Sequence, residues 1–153
     1  MPSLELKVPP PVVVLLLGGA MWGIASLAPS IALPAWLRWS AAIAIASAGA
    51  ACELAGGWCF SRARTTINPM RPQASSALVS GGIYRFTRNP MYVGLLLITV
   101  AWAVFLSSAW ALLGPPAFFF YIGRFQIVPE ERVLAQRFGA AYAAYQARVP
   151  RWL

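Results

Sequence analysis

The chain has 153 residues, 59% hydrophobic and 10% charged, with a formal net charge of +8 and a mean hydropathy of +0.66. A soluble domain carries about 25% charged residues, so this composition excludes an ordinary water-soluble globule and implies an integral membrane protein. Histidine is absent and every acidic residue is a glutamate, which excludes Ser-His-Asp and Cys-His catalysis and nearly every histidine-containing metal site.

The first eleven residues hold Glu5, Lys7 and a proline run, and the apolar stretch after them lacks a small-residue cleavage site. They read as the approach to a retained first span rather than a signal peptide. Residues 8–37 carry no charge, residues 39–61 carry only Glu53, and residues 89–123 carry none. A helix needs about 20 apolar residues to cross a bilayer, so the first two runs predict spans over 12–28 and 36–60, separated by a turn at Pro29 and Pro34. The third run, at roughly 35 residues and about 1.5 Å per residue, would reach about 52 Å. It therefore reads as a hairpin of spans 91–107 and 109–125, broken at Ser107-Ser108 or at Gly114-Pro115-Pro116. Cys52 and Cys59 lie on one helix about 10 Å apart along its axis, too far to bridge, and read as packing residues. Past the fourth span, Leu134, Phe138, Ala141, Tyr145 and Val149 recur at helical spacing, with Arg132, Gln136 and Arg137 off that stripe. This predicts an amphipathic helix on the membrane surface. The expected fold is all-α, a single membrane domain over 1–153 with about four transmembrane helices and a C-terminal amphipathic cytoplasmic helix.

The basic residues are asymmetric. Arg62, Arg64, Arg71, Arg85 and Arg88 follow the second span, Arg124, Arg132, Arg137, Arg148 and Arg151 follow the fourth, and Lys7 precedes the first. Only Arg38 falls on the opposite side. By the positive-inside rule this places both termini in the cytoplasm. The positive charge reads as topology and attraction to anionic lipid rather than nucleic-acid binding, because the arginines are dispersed among membrane segments. The sequence has no phosphate-cradling GxxxxGK loop, no GxGxxG after a strand and no internal repeat.

Two polar segments border the apolar ones. Gly81-Gly82 precedes Tyr84, Arg85 and Arg88, and Asn89-Pro90 opens the third span. Paired glycines form turns or permit close backbone approach to a ligand, and a helix start can face an anionic group. Tyr84 and Tyr92 suit either an interfacial aromatic belt or stacking on a planar base. Glu130 and Glu131 follow Pro129 at a helix start, where the macrodipole favours negative charge. A carboxylate pair there is also what a cationic amino group seeks. Glu53 lies inside the second span, where an ionisable residue is a functional hypothesis by default. It suits pairing with an arginine beyond Phe60 or a substrate-facing role.

Leu78-Val79, Gly82, Tyr84, Arg88-Asn89-Pro90, Tyr92 and Gly94, followed by Glu130-Glu131, Leu134, Phe138-Gly139, Tyr142, Tyr145 and Val149-Pro150, resemble the isoprenylcysteine carboxyl methyltransferase and phospholipid methyltransferase superfamily of membrane enzymes. The resemblance covers residues 62–153; the first two spans match in character only. It implies S-adenosylmethionine as cofactor, held without a Rossmann sheet by segments 76–94 and 124–150. On that analogy Ser76, Ala77, Leu78, Val79 and Tyr84 line one side of the cofactor, and Asn89, Pro90, Met91 and Tyr92 cover its nucleoside. Glu130, beside Glu131, would accept hydrogen bonds from its amino group, with Arg88 and Gln126 as positioning residues. Asn89 stands where many members have histidine. Gln126 stands where the prenylcysteine enzymes place an arginine that engages the substrate carboxylate, which argues against that acceptor.

The implied reaction is methyl transfer to a lipophilic or membrane-adjacent carboxylate, amine or thiol at the cytoplasmic face, with membrane lipids as partners and no metal or nucleic acid. Sterol-type membrane reductases using NADPH share part of the pattern but tend to have Arg-Asp where this chain has Glu-Glu. A non-catalytic membrane scaffold is the third alternative. The sequence carries no signature of the acceptor's identity or of oligomeric state.

Overall fold

The computed structural model describes residues 4–66, 68, 70 and 72–153. Arg71, one of the basic residues after the second span, lies outside the described residues. All regular elements among them are helical: α1 (Pro10–Leu27), α2 (Ala35–Arg62), α3 (Pro90–Leu106), α4 (Gly114–Ile122) and α5 (Val128–Gln146). Proline occupies the first turn of α1, α3, α4 and α5, where its missing N–H leaves no hydrogen bond unmade and its fixed φ suits the helix. Three helical stretches, Pro10–Leu27, Ala35–Arg62 and Ala109–Gln146, are long and apolar enough to cross a membrane. With 17 residues, Pro90–Leu106 is at the short end of the range for a spanning helix, about 17–25. The protein is an all-helical integral membrane protein whose outer faces carry exposed Leu15, Leu16, Trp22, Leu27, Trp58 and Phe120, as a lipid-facing surface requires.

The hairpin between α3 and α4 turns at Ser107, which adopts a left-handed conformation (φ 47°, ψ 43°). A short 3-10 turn, Ala109–Leu113, follows, and the chain resumes as α-helix at Gly114. Gly114-Pro115-Pro116 is thus a helix start rather than a break, and glycine is required there because a Cβ would sit 2.2 Å from Met21 Sδ. On the same side Ile31 N–H donates to Ser107 O at 2.6 Å, tying the α1–α2 loop to the hairpin.

The expected separate surface helix is instead joined to the fourth. A wide π-type turn, Gly123–Ile127, carries α4 directly into α5. The rod bends at Gly139, whose φ of 48° and ψ of −123° suit glycine alone. The bend swings Tyr142, Tyr145 and Val149 onto Leu78, closing a small core with Leu134 and Phe138.

Helix α3 is the centre of the bundle, touching α1, α2 and α4. Its closest approach is to α2, where a Cβ on Gly94 would lie 2.7 Å from Gly49 O and one on Gly49 would lie 2.7 Å from Gly94 O. Without a hydrophobic drive between helices in lipid, such small-residue contacts supply the van der Waals packing. A second core, Val13, Tyr92, Phe118, Ile122 and Ile127, joins α1, α3, α4 and the wide turn. Replacing Gly94 with valine is expected to push α2 and α3 apart and cost about 1–3 kcal/mol. A lowered melting temperature in detergent checks this, and an unchanged one refutes the close crossing.

Candidate functional site

The loop between α2 and α3 is pressed onto the end of α2 by Gly82. Its φ is 60°, and a Cβ there would meet Cys59 Sγ at 2.7 Å. The next turn buries Tyr84 against the edge of Phe60, with ring centroids 5.6 Å apart. Tyr145, from the bent end of α5, donates its hydroxyl to Tyr84 O at 2.8 Å. Glycine therefore fixes the loop from below and a tyrosine fixes it from above.

The Arg88-Asn89-Pro90 segment is held by the C-terminus. Arg88 N–H donates to Pro150 O at 3.0 Å, and Asn89 Nδ2 and Thr87 Oγ1 donate to Arg151 O at 2.8 and 3.3 Å. Arg88 Nη2 pairs with Glu131 Oε1 at 3.0 Å, and Arg151 Nη2 pairs with Glu131 Oε2 at 2.6 Å. Glu131 is thus a structural anchor between two arginines.

Its neighbour Glu130 faces elsewhere. Tyr92 Oη donates to Glu130 Oε1 at 2.5 Å, and Gln126 Nε2 donates to the same oxygen at 2.9 Å. No ion pair reaches Glu130 among the described residues. Glu130 lies beyond the charge-free part of the α4–α5 rod, which ends at Gly123. Burial is the largest influence on its carboxyl and pushes it up to about 7, against the opposing bonds from Tyr92 and Gln126. Burial also raises the phenols of Tyr142 and Tyr145, which favours their neutral forms.

These residues surround a cavity of about 480 Å³, within the usual size of a small-molecule site, about 300–1,000 Å³. Of the residues anticipated for binding, Ala77, Leu78, Val79, Tyr84, Asn89, Met91, Tyr92, Glu130 and Glu131 line it, as does Arg88. Ser76 and Pro90 do not. The Ser76 N–H donates to Thr65 Oγ1 at 2.8 Å and its hydroxyl to Arg64 O at 3.4 Å, while Pro90 is fully buried at the start of α3. Gln126, expected to face the acceptor, is buried beneath Glu130 and orients that carboxylate. Asn89 commits its amide nitrogen to the C-terminus.

The lining also takes Glu53 and Phe60 from α2, Thr66, Asn68, Met70 and Ser75 from the loop, Pro9–Pro11 at the start of α1, and Leu134, Tyr142 and Tyr145 from α5. The tyrosines were visible as motif positions; the proline run and the loop residues carried no sequence signal of site membership. No ion pair or hydrogen bond reaches Glu53 from the described arginines beyond Phe60 or from any other described residue.

The chain is 44% identical over 63 residues to an uncharacterized protein of Haemophilus influenzae, a match covering 41% of this chain and 100% of that one. It is 34% identical over 92 residues to Protein-S-isoprenylcysteine O-methyltransferase B of Arabidopsis thaliana, covering 58% of this chain and 45% of that protein. No solved structure matches. The family model for phospholipid methyltransferase matches residues 31–141, a span that takes in α2, α3, α4, the loop over the cavity and both glutamates of α5. The chain belongs to the phospholipid methyltransferase family of membrane enzymes.

Proposed function

We propose that the chain transfers a methyl group from S-adenosylmethionine to a lipophilic or membrane-adjacent acceptor at the cytoplasmic face of the membrane. The observation that carries this reading is the buried carboxyl of Glu130, mounted on Tyr92 and Gln126, lining a 480 Å³ cavity and free of any arginine among the described residues. Such a group suits an ammonium ion. The surrounding Met91, Leu78, Val79, Tyr84 and Tyr142 suit a planar, partly apolar nucleoside. The residues present therefore fit S-adenosylmethionine, which when bound supplies a methyl group already activated for displacement.

The protein's part is binding, alignment and exclusion of water. Glu130 would hold the amino group, and the double hydrogen bond to its Oε1 fixes where that group sits. Holding the acceptor within attacking distance is the main requirement of an in-line transfer, which fits a chain without histidine. NADPH fits less well, because Arg88 and Arg151 are both engaged by Glu131 and no unpaired arginine lines the cavity among the described residues. The basic residues Arg62, Arg64, Arg85, Arg88, Arg124 and Arg151 flank the cavity end of the helices while Arg38 lies at the other. This supports four spans with both termini and the cavity in the cytoplasmic half.

Calorimetric titration of detergent-purified protein with S-adenosylhomocysteine, run beside NADPH, tests the reading. Saturable binding of S-adenosylhomocysteine is expected. Glu130→Gln should weaken it roughly 10- to 100-fold, the loss of a hydrogen bond to a charged group, with the melting temperature retained. Binding of NADPH alone would transfer the chain to the reductases, and silence from both would leave a scaffold.

The titration of Glu130 gives a second expectation. Its carboxyl, raised to about 7, must be ionised to hold an ammonium, so affinity is fully present above that value and lost as pH falls through it. Between about pH 7.5 and about pH 5.5, S-adenosylhomocysteine should bind about 20-fold more weakly. Glu130→Gln should show no such slope; a pH-independent wild type would remove Glu130 from the ligand.

A further inference from the structure

Glu53 is the acidic residue of the cavity that cofactor binding leaves unexplained. It sits on α2 between Gly49 and Gly56, on the face that packs against α3. A Cβ at Gly94 would lie 2.9 Å from Glu53 Cγ, and one at Gly56 would lie 2.6 Å from Met91 Cγ. The three glycines thus let α3 close over Glu53 and leave its side chain a path along the helix crossing into the cavity, which it lines with Tyr84, Met91, Tyr92 and Leu95.

An ionisable side chain within a spanning helix is costly and is kept where it pairs or acts. Glu53 Oε1 is sealed from solvent and has no hydrogen-bond partner among the described residues. Arg88, which lines the same cavity, is paired with Glu131, and no ion pair to Glu53 is found among the described residues. Glu53 and Glu130 both lie within electrostatic reach of the Tyr84 phenol, so the two carboxyl groups share one cavity, one with two donors and the other with none. A cavity with two acidic walls, whose one lining arginine among the described residues is committed to Glu131, repels a second carboxylate and favours a group that brings a proton.

We propose that Glu53 is the catalytic residue on the acceptor side, the group that takes the proton of an N–H, S–H or O–H nucleophile and so selects amines, thiols or phenols over carboxylates. The proposal rests on the methyl-transfer reading. With an amine, the ammonium R–NH3+ gives one proton to the Glu53 carboxylate, and the freed nitrogen lone pair forms the N–CH3 bond. The carbon–sulfur bond breaks with its electron pair going to sulfur, leaving a neutral thioether and R–NH2+–CH3. The proton on Glu53 then passes to water, so the net products include one proton.

The test uses full-length protein in nanodiscs, wild type and E53Q, with dodecylamine, dodecanethiol and dodecanoate as probes. S-adenosylhomocysteine binding is expected to be the same in both proteins. Wild type should transfer labelled methyl to dodecylamine or dodecanethiol and not to dodecanoate, and E53Q should be slower on the same probe by about 100-fold or more, the range of a general base. Independently of turnover, dodecylamine should bind the S-adenosylhomocysteine-loaded E53Q protein about tenfold more weakly than wild type, as loss of a charge-assisted hydrogen bond predicts. Equal rates or equal amine affinity in the two proteins overturns the assignment, as does preferential methylation of dodecanoate or a wild type that neither binds nor methylates either protic probe. Failure of wild type to bind S-adenosylhomocysteine is a different result: it overturns the methyl-transfer reading and the role of Glu53 with it.

Discussion

The carboxylate of Glu131 lies between the guanidinium groups of Arg88 and Arg151, and through it the loop, the last helix and the C-terminus become one body. The side chains of Arg88 and Glu131 are only 10% and 13% exposed. Charges so far out of water contribute little net stability as a pair, yet removing one partner costs about 3–5 kcal/mol because the other is left buried and unpaired. The consequence is geometric. With Arg151 held, its carbonyl and that of Pro150 accept from Thr87, Arg88 and Asn89, and Trp152 stacks on Phe119 of α4 with ring centroids 4.7 Å apart. The wall of the cavity at Arg88 and Asn89 is thus built from both ends of the second half of the chain.

Two adjacent glutamates divide the labour, and sequence alone treats them as a pair. Successive residues on a helix point about 100° apart, so Glu131 turns to the arginines while Glu130 turns to Tyr92, Gln126 and the cavity. Which of them is structural depends on where the C-terminus returns, a long-range fact with no local signal. Gln126 illustrates the same limit. Its position four residues before Glu130 is one helical turn away, which suits a substrate-facing residue as well as a buried brace, and only the packing of α3 against the wide turn selects the brace.

The apolar runs, their proline starts and the two motifs were legible because hydrophobic length and helix-start chemistry are local properties. The junction of α4 and α5 was not. Charge reappears at Arg124, which reads as an exit from the membrane and the start of a separate helix, yet the backbone continues unbroken through Gly123–Ile127. The wide turn carries the chain into α5, on which Glu130 meets Tyr92. Glu5 reinforces the same junction from the N-terminus by pairing with Arg124 at 2.7 Å and Arg132 at 2.9 Å, while Leu6 N–H donates to Phe125 O at 3.0 Å.

The distribution of acid in a chain of net charge +8 with 4 acidic residues follows from these contacts. Glu5 and Glu131 are held between arginines and act as clamps at the two ends of the chain. Glu53 and Glu130 face the cavity without an arginine among the described residues. Basic residues dominate the chain as a whole, whereas three of its four glutamates, Glu53, Glu130 and Glu131, line the cavity. Under the proposed methyl-transfer reading, a cationic acceptor gains from the ionised carboxyl groups of the cavity and an anionic one loses, and low local dielectric enlarges the difference. On that reading selection by charge requires no histidine in the site, only that the lining Arg88 be kept occupied, and Glu131 occupies it.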